Sequence, residues 1–197
     1  MRVDLNELLG IPGDRRNFFR QSIGRWGERL LEKTEQRVSP TKHTRPPGAL
    51  PEVAFLAACT RCGQCEPVCP PHAIQYLPAS AGLSAGTPWI DPASQPCIVC
   101  EDMPCVRACP TGALTMPPDG WVGYRIGVVE LVPERCVTFQ STPCRVCVDA
   151  CPVGERALTL DESGHPVLRR EGCVGCGVCV RECITAPSSF ALTVAEE

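Results

Sequence analysis

Sixteen cysteines fall in four groups of four along a chain of 197 residues. The first group is Cys59, Cys62, Cys65 and Cys69, within C-T-R-C-G-Q-C-E-P-V-C-P. The second, Cys97, Cys100, Cys105 and Cys109, holds four residues between its middle pair and is followed by Pro110. The third, Cys136, Cys144, Cys147 and Cys151, opens on a seven-residue gap and is followed by Pro152. The fourth, Cys173, Cys176, Cys179 and Cys183, returns to regular spacing, with its proline delayed to Pro187. Group starts lie 38, 39 and 37 residues apart, a period even enough to mark an internal repeat.

The regular spacing, C-x2-C-x2-C-x3-C-P, is one used for iron–sulfur ligation. Three cysteines two residues apart let one tight loop wrap three corners of a cubane, while the fourth points toward a neighbouring cluster. Proline then turns the chain out of the site, because it fixes φ and has no N–H to donate. Zinc would require paired C-x2-C knuckles and leaves the x3-Cys-Pro element unexplained. Three cysteines crowding one loop give poor geometry for disulfides. Sixteen ligands suffice for four [4Fe-4S] clusters with none left over. A cluster that acts on a substrate usually keeps one iron without a protein ligand. The chain is therefore expected to carry electrons, not to be an enzyme, and no catalytic residue is assigned. It encodes no phosphate loop, dinucleotide fingerprint or nucleophile–base pair, so substrate chemistry belongs to a partner.

In a two-cluster unit the fourth cysteine of each group serves the other cluster. Four groups can pair sequentially or in a nested order. The outer two groups are regular and the inner two irregular, which favours nesting. Cys59, Cys62, Cys65 and Cys183 would then share one site, and Cys173, Cys176, Cys179 and Cys69 its partner. Cys97, Cys100, Cys105 and Cys151 would form the third, and Cys136, Cys144, Cys147 and Cys109 the fourth.

These loops must be positioned by a chain with few large apolar residues: 5% are aromatic, and it has 17 glycines and 21 prolines. The thin core that results needs the clusters to complete it. Short segments at 73–76, 113–115, 157–160 and 190–194 read as strands leaving the cluster loops, with further strands over 121–131 and at 167–168. Asp161-Glu162-Ser163-Gly164 reads as a hairpin turn. Residues 79–96, small and rich in Pro, Gly and Ser, read as an unpatterned loop wrapping the surface. The expected fold is α+β, built of tandem or nested ferredoxin-like dicluster units with an N-terminal amphipathic helix.

Charge divides the chain. Residues 1–50 hold ten Lys/Arg against six Asp/Glu, whereas the remainder holds nine against sixteen. The expected organisation is a basic leader, 1–44, and a cysteine-rich body, 45–197. The overall charge of −3 argues against a nucleic-acid partner. Within the leader Asp14 is a candidate N-cap, and Phe19, Ile23, Trp26 and Leu30 form one apolar stripe at helical spacing. Residues 14–37 would pack on the body, or dock on a partner or an anionic membrane surface. No apolar run reaches the length of a membrane span. His72 lies close to the first group, and Arg61, Arg107, Arg145 and Arg181 sit inside the four groups. Each has a bland reading, as a solvated position, beside a role in tuning cluster charge.

Arg45-Pro-Pro-Gly-Ala-Leu50, the run Cys59–Cys65, Ala81-Gly-Leu-Ser-Ala-Gly-Thr-Pro88 and Cys100-Glu-Asp-Met-Pro-Cys105 resemble the NapG/MauM-type ferredoxins. These are accessory four-cluster proteins of periplasmic nitrate reduction and methylamine utilisation. More distantly the body is similar to the iron–sulfur β subunits of molybdopterin oxidoreductases, in which the groups nest. The resemblance implies electron transfer between a membrane quinol dehydrogenase, or a molybdopterin oxidoreductase, and a redox-enzyme acceptor. The rival reading is an iron–sulfur redox or oxygen sensor, or an assembly protein. Asp14-Arg15-Arg16-Asn17-Phe18-Phe19-Arg20 resembles the core of a twin-arginine export signal. Arg25, Arg29 and Lys33 then break the apolar stretch that such a signal needs. Cytoplasmic residence with membrane association is the expectation, and periplasmic export the alternative.

Overall fold

Prolines and glycines cut this sequence into pieces too short for long helices, and the elements obey that limit. The structure, a computed structural model, describes residues 43–194; the expected leader helix lies outside them. Helix α1 (Glu52–Ala58) starts directly after Pro51, buries Phe55 and ends where Cys59 turns extended. Strand β1 (Ile74–Tyr76) follows the first cysteine group, and a 3-10 segment (Ala79–Ser84) leads to strand β2 (Pro88–Ile90). Helix α2 (Pro104–Arg107) opens on a proline, which suits the first helical position because its missing N–H would have no partner there.

The second half runs β3 (Gly127–Leu131), α3 (Val146–Asp149), β4 (Leu158–Leu160), β5 (Pro166–Leu168), α4 (Val178–Arg181) and β6 (Phe190–Val194). Among the described residues the sheets are two-stranded and antiparallel. In this half β4 and β5 form an inner hairpin, Leu158 opposite Leu168, while β3 pairs with β6, Gly127 opposite Val194 and Leu131 opposite Phe190. The first half repeats the scheme in reduced form. Its inner pair is β1 with β2, Ile74 opposite Ile90, and its outer pair is a single bridge between Ala49 and Leu114.

That topology sets the cysteine groups in consecutive pairs. The Ala49–Leu114 bridge encloses groups one and two, and the β3–β6 ribbon encloses groups three and four. Each half thus closes around two consecutive groups.

Several expected elements are corrected in detail. The strand expected over 121–131 begins only at Gly127, and 113–115 contributes one bridging residue. Residues 79–96 are no loose wrap: they contain β2, and Ser84, Thr87 and Ile90 are buried at 1%, 0% and 2% exposure. Arg45 holds this segment, donating to Thr87 Oγ1 and the Pro88 carbonyl, both at 2.8 Å, while pairing with Glu52. Arg61 holds it from the other side, donating to the Ala85 and Leu83 carbonyls at 2.8 and 3.0 Å.

The two halves share one core. Phe55, Ile74, Ile90, Leu114 and Cys97 of the first pack in a cluster with Ile126, Val174, Cys176 and Val178 of the second. A smaller cluster, Val129, Cys147, Leu158, Cys179 and Phe190, lies within the second half.

Candidate metal centres

Groups two to four place their later cysteines in the same local way, a one-turn helix carrying the third and the fourth following that helix, whereas Cys65 of group one lies in a turn. Thus Cys105, Cys147 and Cys179 ride on α2, α3 and α4. Tight turns make this possible: Gly63, Gly175 and Gly177 have φ of +78°, +69° and +82°, and Arg61 and Val99 adopt +58° and +61°. These are conformations that a β-carbon opposes, and glycine fills most of them here.

The quartets then become visible. One cavity is lined by Cys59, Cys62, Cys65 and Cys109, with Phe55, Tyr76 and Leu114 around them. A second is lined by Cys69, Cys97, Cys100 and Cys105, with Met103 and Trp121. In the second half Cys147 faces the charges of Cys144, Cys136 and Cys183, while Cys176 faces those of Cys151 and Cys173. In the first half the fourth cysteine of each group therefore lines the other group's cavity. Cys109 completes the first quartet where nesting called for Cys183, and Cys69 completes that of Cys97. The reason is the strand pairing described above, which spacing in the sequence does not encode.

The donor set fits a cubane. All sixteen cysteines stand as free thiols. Among the described residues no three His, Cys, Asp or Glu side chains converge as ligands of a single ion do. Instead the sulfurs ring cavities, as a group presenting its irons at separate corners requires. Burial pushes the Cys65, Cys147 and Cys176 thiols up to about 11, and Cys97 and Cys105 to about 12. Alone, such thiols stay protonated at neutral pH. They become thiolates when a cation enters to offset the desolvation, as iron does. A nucleophilic cysteine needs the reverse, a lowered value and an open approach.

Two sulfurs depart from this pattern. Burial raises Cys183 too, but hydrogen bonds from the Ser189 and Thr185 side chains and backbones outweigh it and bring the thiol down to about 7. Cys109 is likewise lowered, burial being overcome by the Leu114 and Thr111 backbone N–H groups and the Thr111 hydroxyl. Thr185 Oγ1 lies 3.2 Å from Cys183 Sγ, and the Ser189 N–H donates to the same sulfur at 3.3 Å. Thr138 Oγ1 lies 3.2 Å from Cys136 Sγ. These residues were absent from the sequence reading, although a signal existed: threonine stands two positions after Cys109, Cys136 and Cys183 alike.

The charged residues inside the groups divide. Arg61 is a structural clamp, whereas Arg145 pairs with Asp149 on its own turn and Arg181 with Glu182. His72 is exposed beside Glu66, 3.7 Å away.

Two dicluster halves, cysteine quartets around cavities and a repeated one-turn helix define a ferredoxin-type iron–sulfur protein. Sequence families agree: residues 96–155 match a 4Fe-4S dicluster domain, and residues 56–75 and 170–185 match 4Fe-4S binding domains. The dicluster match spans groups two and three, which are consecutive in the chain. In space the two cavities of the first half bring cysteines of groups one and two together. The chain is 39% identical over 165 residues to the ferredoxin-type protein NapG of Escherichia coli (strain K12), covering 78% of this chain and 71% of that protein. It is 40% identical over 148 residues to the methylamine utilization ferredoxin-type protein MauM of Paracoccus denitrificans, covering 71% and 66%. With MauM of Methylophilus methylotrophus it shares 34% over 178 residues, covering 86% and 78%. No solved structure matches. The chain belongs to the NapG/MauM family of ferredoxin-type proteins. It is an iron–sulfur electron carrier with [4Fe-4S] clusters and not a catalytic enzyme.

Proposed function

We propose that the chain is a linear four-site relay, with all sixteen cysteines as ligands in four quartets. In spatial order these are Cys59/Cys62/Cys65/Cys109, Cys69/Cys97/Cys100/Cys105, Cys151/Cys173/Cys176/Cys179 and Cys136/Cys144/Cys147/Cys183. The clusters supply one-electron redox chemistry, and the chain's residues hold them in series, separated from water by short apolar walls. The observation that carries this reading is the contact between halves: Cys97 and Cys176 pack in one core cluster. Both are buried there, each at 8% exposure, one from either half. Within the halves, Cys105 faces Cys65, and Cys179 faces Cys147. The two end quartets open toward solvent, where Cys62 is exposed and Cys144 lines a wide surface groove with Val146 and Ile184.

The donor is read as a quinol-oxidising membrane enzyme or a molybdopterin oxidoreductase, and the acceptor as a downstream redox protein; family membership supports both. Among the described residues no helix is long and apolar enough to cross a membrane. The charged residues at positions 25–33 support a leader that docks on the cytoplasmic membrane face. A shortened chain recovered from the periplasm by intact mass would overturn that placement.

The quartets are tested by Cys183→Ser in the full chain, with paramagnetic resonance of the reduced protein. The variant is expected to alter the same cluster signal as Cys147→Ser. If it instead altered the signal that Cys62→Ser alters, the sequential order would be wrong.

A further inference from the structure

We propose that hydrogen-bond donors built into this chain make the two terminal clusters of the relay easier to reduce than the two inner ones. The proposal rests on the quartet order given above.

Among the described residues, sulfur-directed hydroxyls are found only at the ends. The quartet of Cys136, Cys144, Cys147 and Cys183 receives Thr138 at Cys136 and Thr185 at Cys183, each at 3.2 Å, and the Ser189 N–H at 3.3 Å. Thr185 is itself fixed by Ser189, Oγ to Oγ at 2.9 Å, and Ser189 is 1% exposed. The quartet of Cys59, Cys62, Cys65 and Cys109 receives Thr111 at 3.8 Å and the Leu114 N–H at 3.4 Å, both on Cys109. The inner quartets receive backbone N–H groups but, among the described residues, no hydroxyl: Val99 donates to Cys97 at 3.4 Å, and Gly175 and Val178 act on Cys173 and Cys176. Where Cys109 and Cys183 are followed two positions on by threonine, the inner quartets' Cys69 and Cys151 are followed by Pro71 and Val153, which have no hydroxyl.

The physical direction is fixed. With the sulfur as thiolate, the threonine can only donate. Adding an electron makes the ligated unit more negative, so each donor stabilises the reduced form more than the oxidised one. Dry walls act the other way. Cys97, Cys105, Cys176 and Cys179 of the inner pair are all buried, while the first quartet contains Cys62, the one exposed cysteine of the sixteen. Electrons given to the chain by a one-electron reductant then settle at its two opposite ends, each facing a partner, and the inner sites serve as bridges.

The test is a potentiometric titration of the fully loaded chain with dithionite, followed by paramagnetic resonance, in wild type, Thr185→Val, Thr111→Val and Thr185→Ser. Iron and acid-labile sulfide are measured on each sample. With four clusters present, each valine variant should move one of the two upper potentials downward, the two variants moving different ones. Thr185→Ser, which keeps the hydroxyl, should restore the wild-type value. If four clusters are present and the lower pair moves, or nothing moves, the profile is wrong while the quartets stand. Fewer than four clusters in the wild-type chain would overturn the quartet reading itself.

Discussion

A buried cation and a buried anion hold the first half together at the scale of single residues. The Arg45 side chain is 8% exposed and the Glu52 side chain 11%, and the guanidinium meets the carboxylate through two nitrogens. The same guanidinium reaches Thr87 and the Pro88 carbonyl, and lies 4.6 Å from the centre of the Phe55 ring. Removing one partner of such a pair leaves the other charge in a dry place, at a cost of about 3 kcal/mol. Arg45→Met is therefore expected to destabilise the first half by about that amount and to hasten loss of its visible iron–sulfur absorbance in denaturant. Arg45→Lys should recover only part, because an ammonium cannot make the forked contact. The candidate ligand cysteines stand out by spacing alone, since ligand chemistry restricts both residue type and interval. Arg45 was visible only as part of a familiar string, because its work depends on partners 7, 42 and 43 positions away. Thr87 and Ser84, small and polar, gave no sign of burial.

Elements in this body are short, so each depends on its turn. The β4–β5 hairpin is closed by Asp161, whose carboxylate accepts from the Ser163 N–H at 2.9 Å and the His165 N–H at 2.8 Å. Its own N–H donates to the His165 carbonyl, and Gly164 takes the left-handed conformation. The His165 backbone bond, then that of Ser163 and the nearby His165 charge, outweigh a small burial cost and hold the Asp161 carboxyl below its ordinary range. A group with a folded value below its unfolded one adds stability above the unfolded value and loses it as the pH falls through the folded one. Asp161→Ala should thus speed amide exchange across residues 158–168 at neutral pH, read by hydrogen-exchange mass spectrometry. The gap to wild type should close as the pH drops below about 4. This turn was readable because Asp, Ser and Gly carry their backbone preferences with them. Strand β2 was not, because its pairing with β1 is set across an eleven-residue excursion between Tyr76 and Pro88 that Arg45 and Arg61 clamp from elsewhere in the chain.

Over the whole molecule, the relay is only as continuous as the joint between its halves. That joint turns on one glycine. Gly177, at φ +82°, begins α4 next to Cys176, and a β-carbon there would lie 2.3 Å from Pro92 Cβ and 3.1 Å from Leu192 Cδ1. Leu192 is the far end of a flexible chain and can yield; Pro92 is a rigid ring in the turn after β2 and cannot. The glycine thus lets the loop carrying Cys176 approach the segment that leads to Cys97. Gly177→Ala should force the halves apart locally, while each half keeps its own outer strand pairing and its two quartets. The expected outcome is an unchanged iron content with weaker magnetic coupling between the inner clusters and slower electron equilibration from one half to the other after a flash of reductant. Pro92→Gly in the same chain removes the opposing β-carbon and should restore part of both, the strain of alanine at a positive φ remaining. Loss of the clusters from the second half in Gly177→Ala, with no recovery on adding Pro92→Gly, would mean that the glycine serves its own cysteine loop and not the joint.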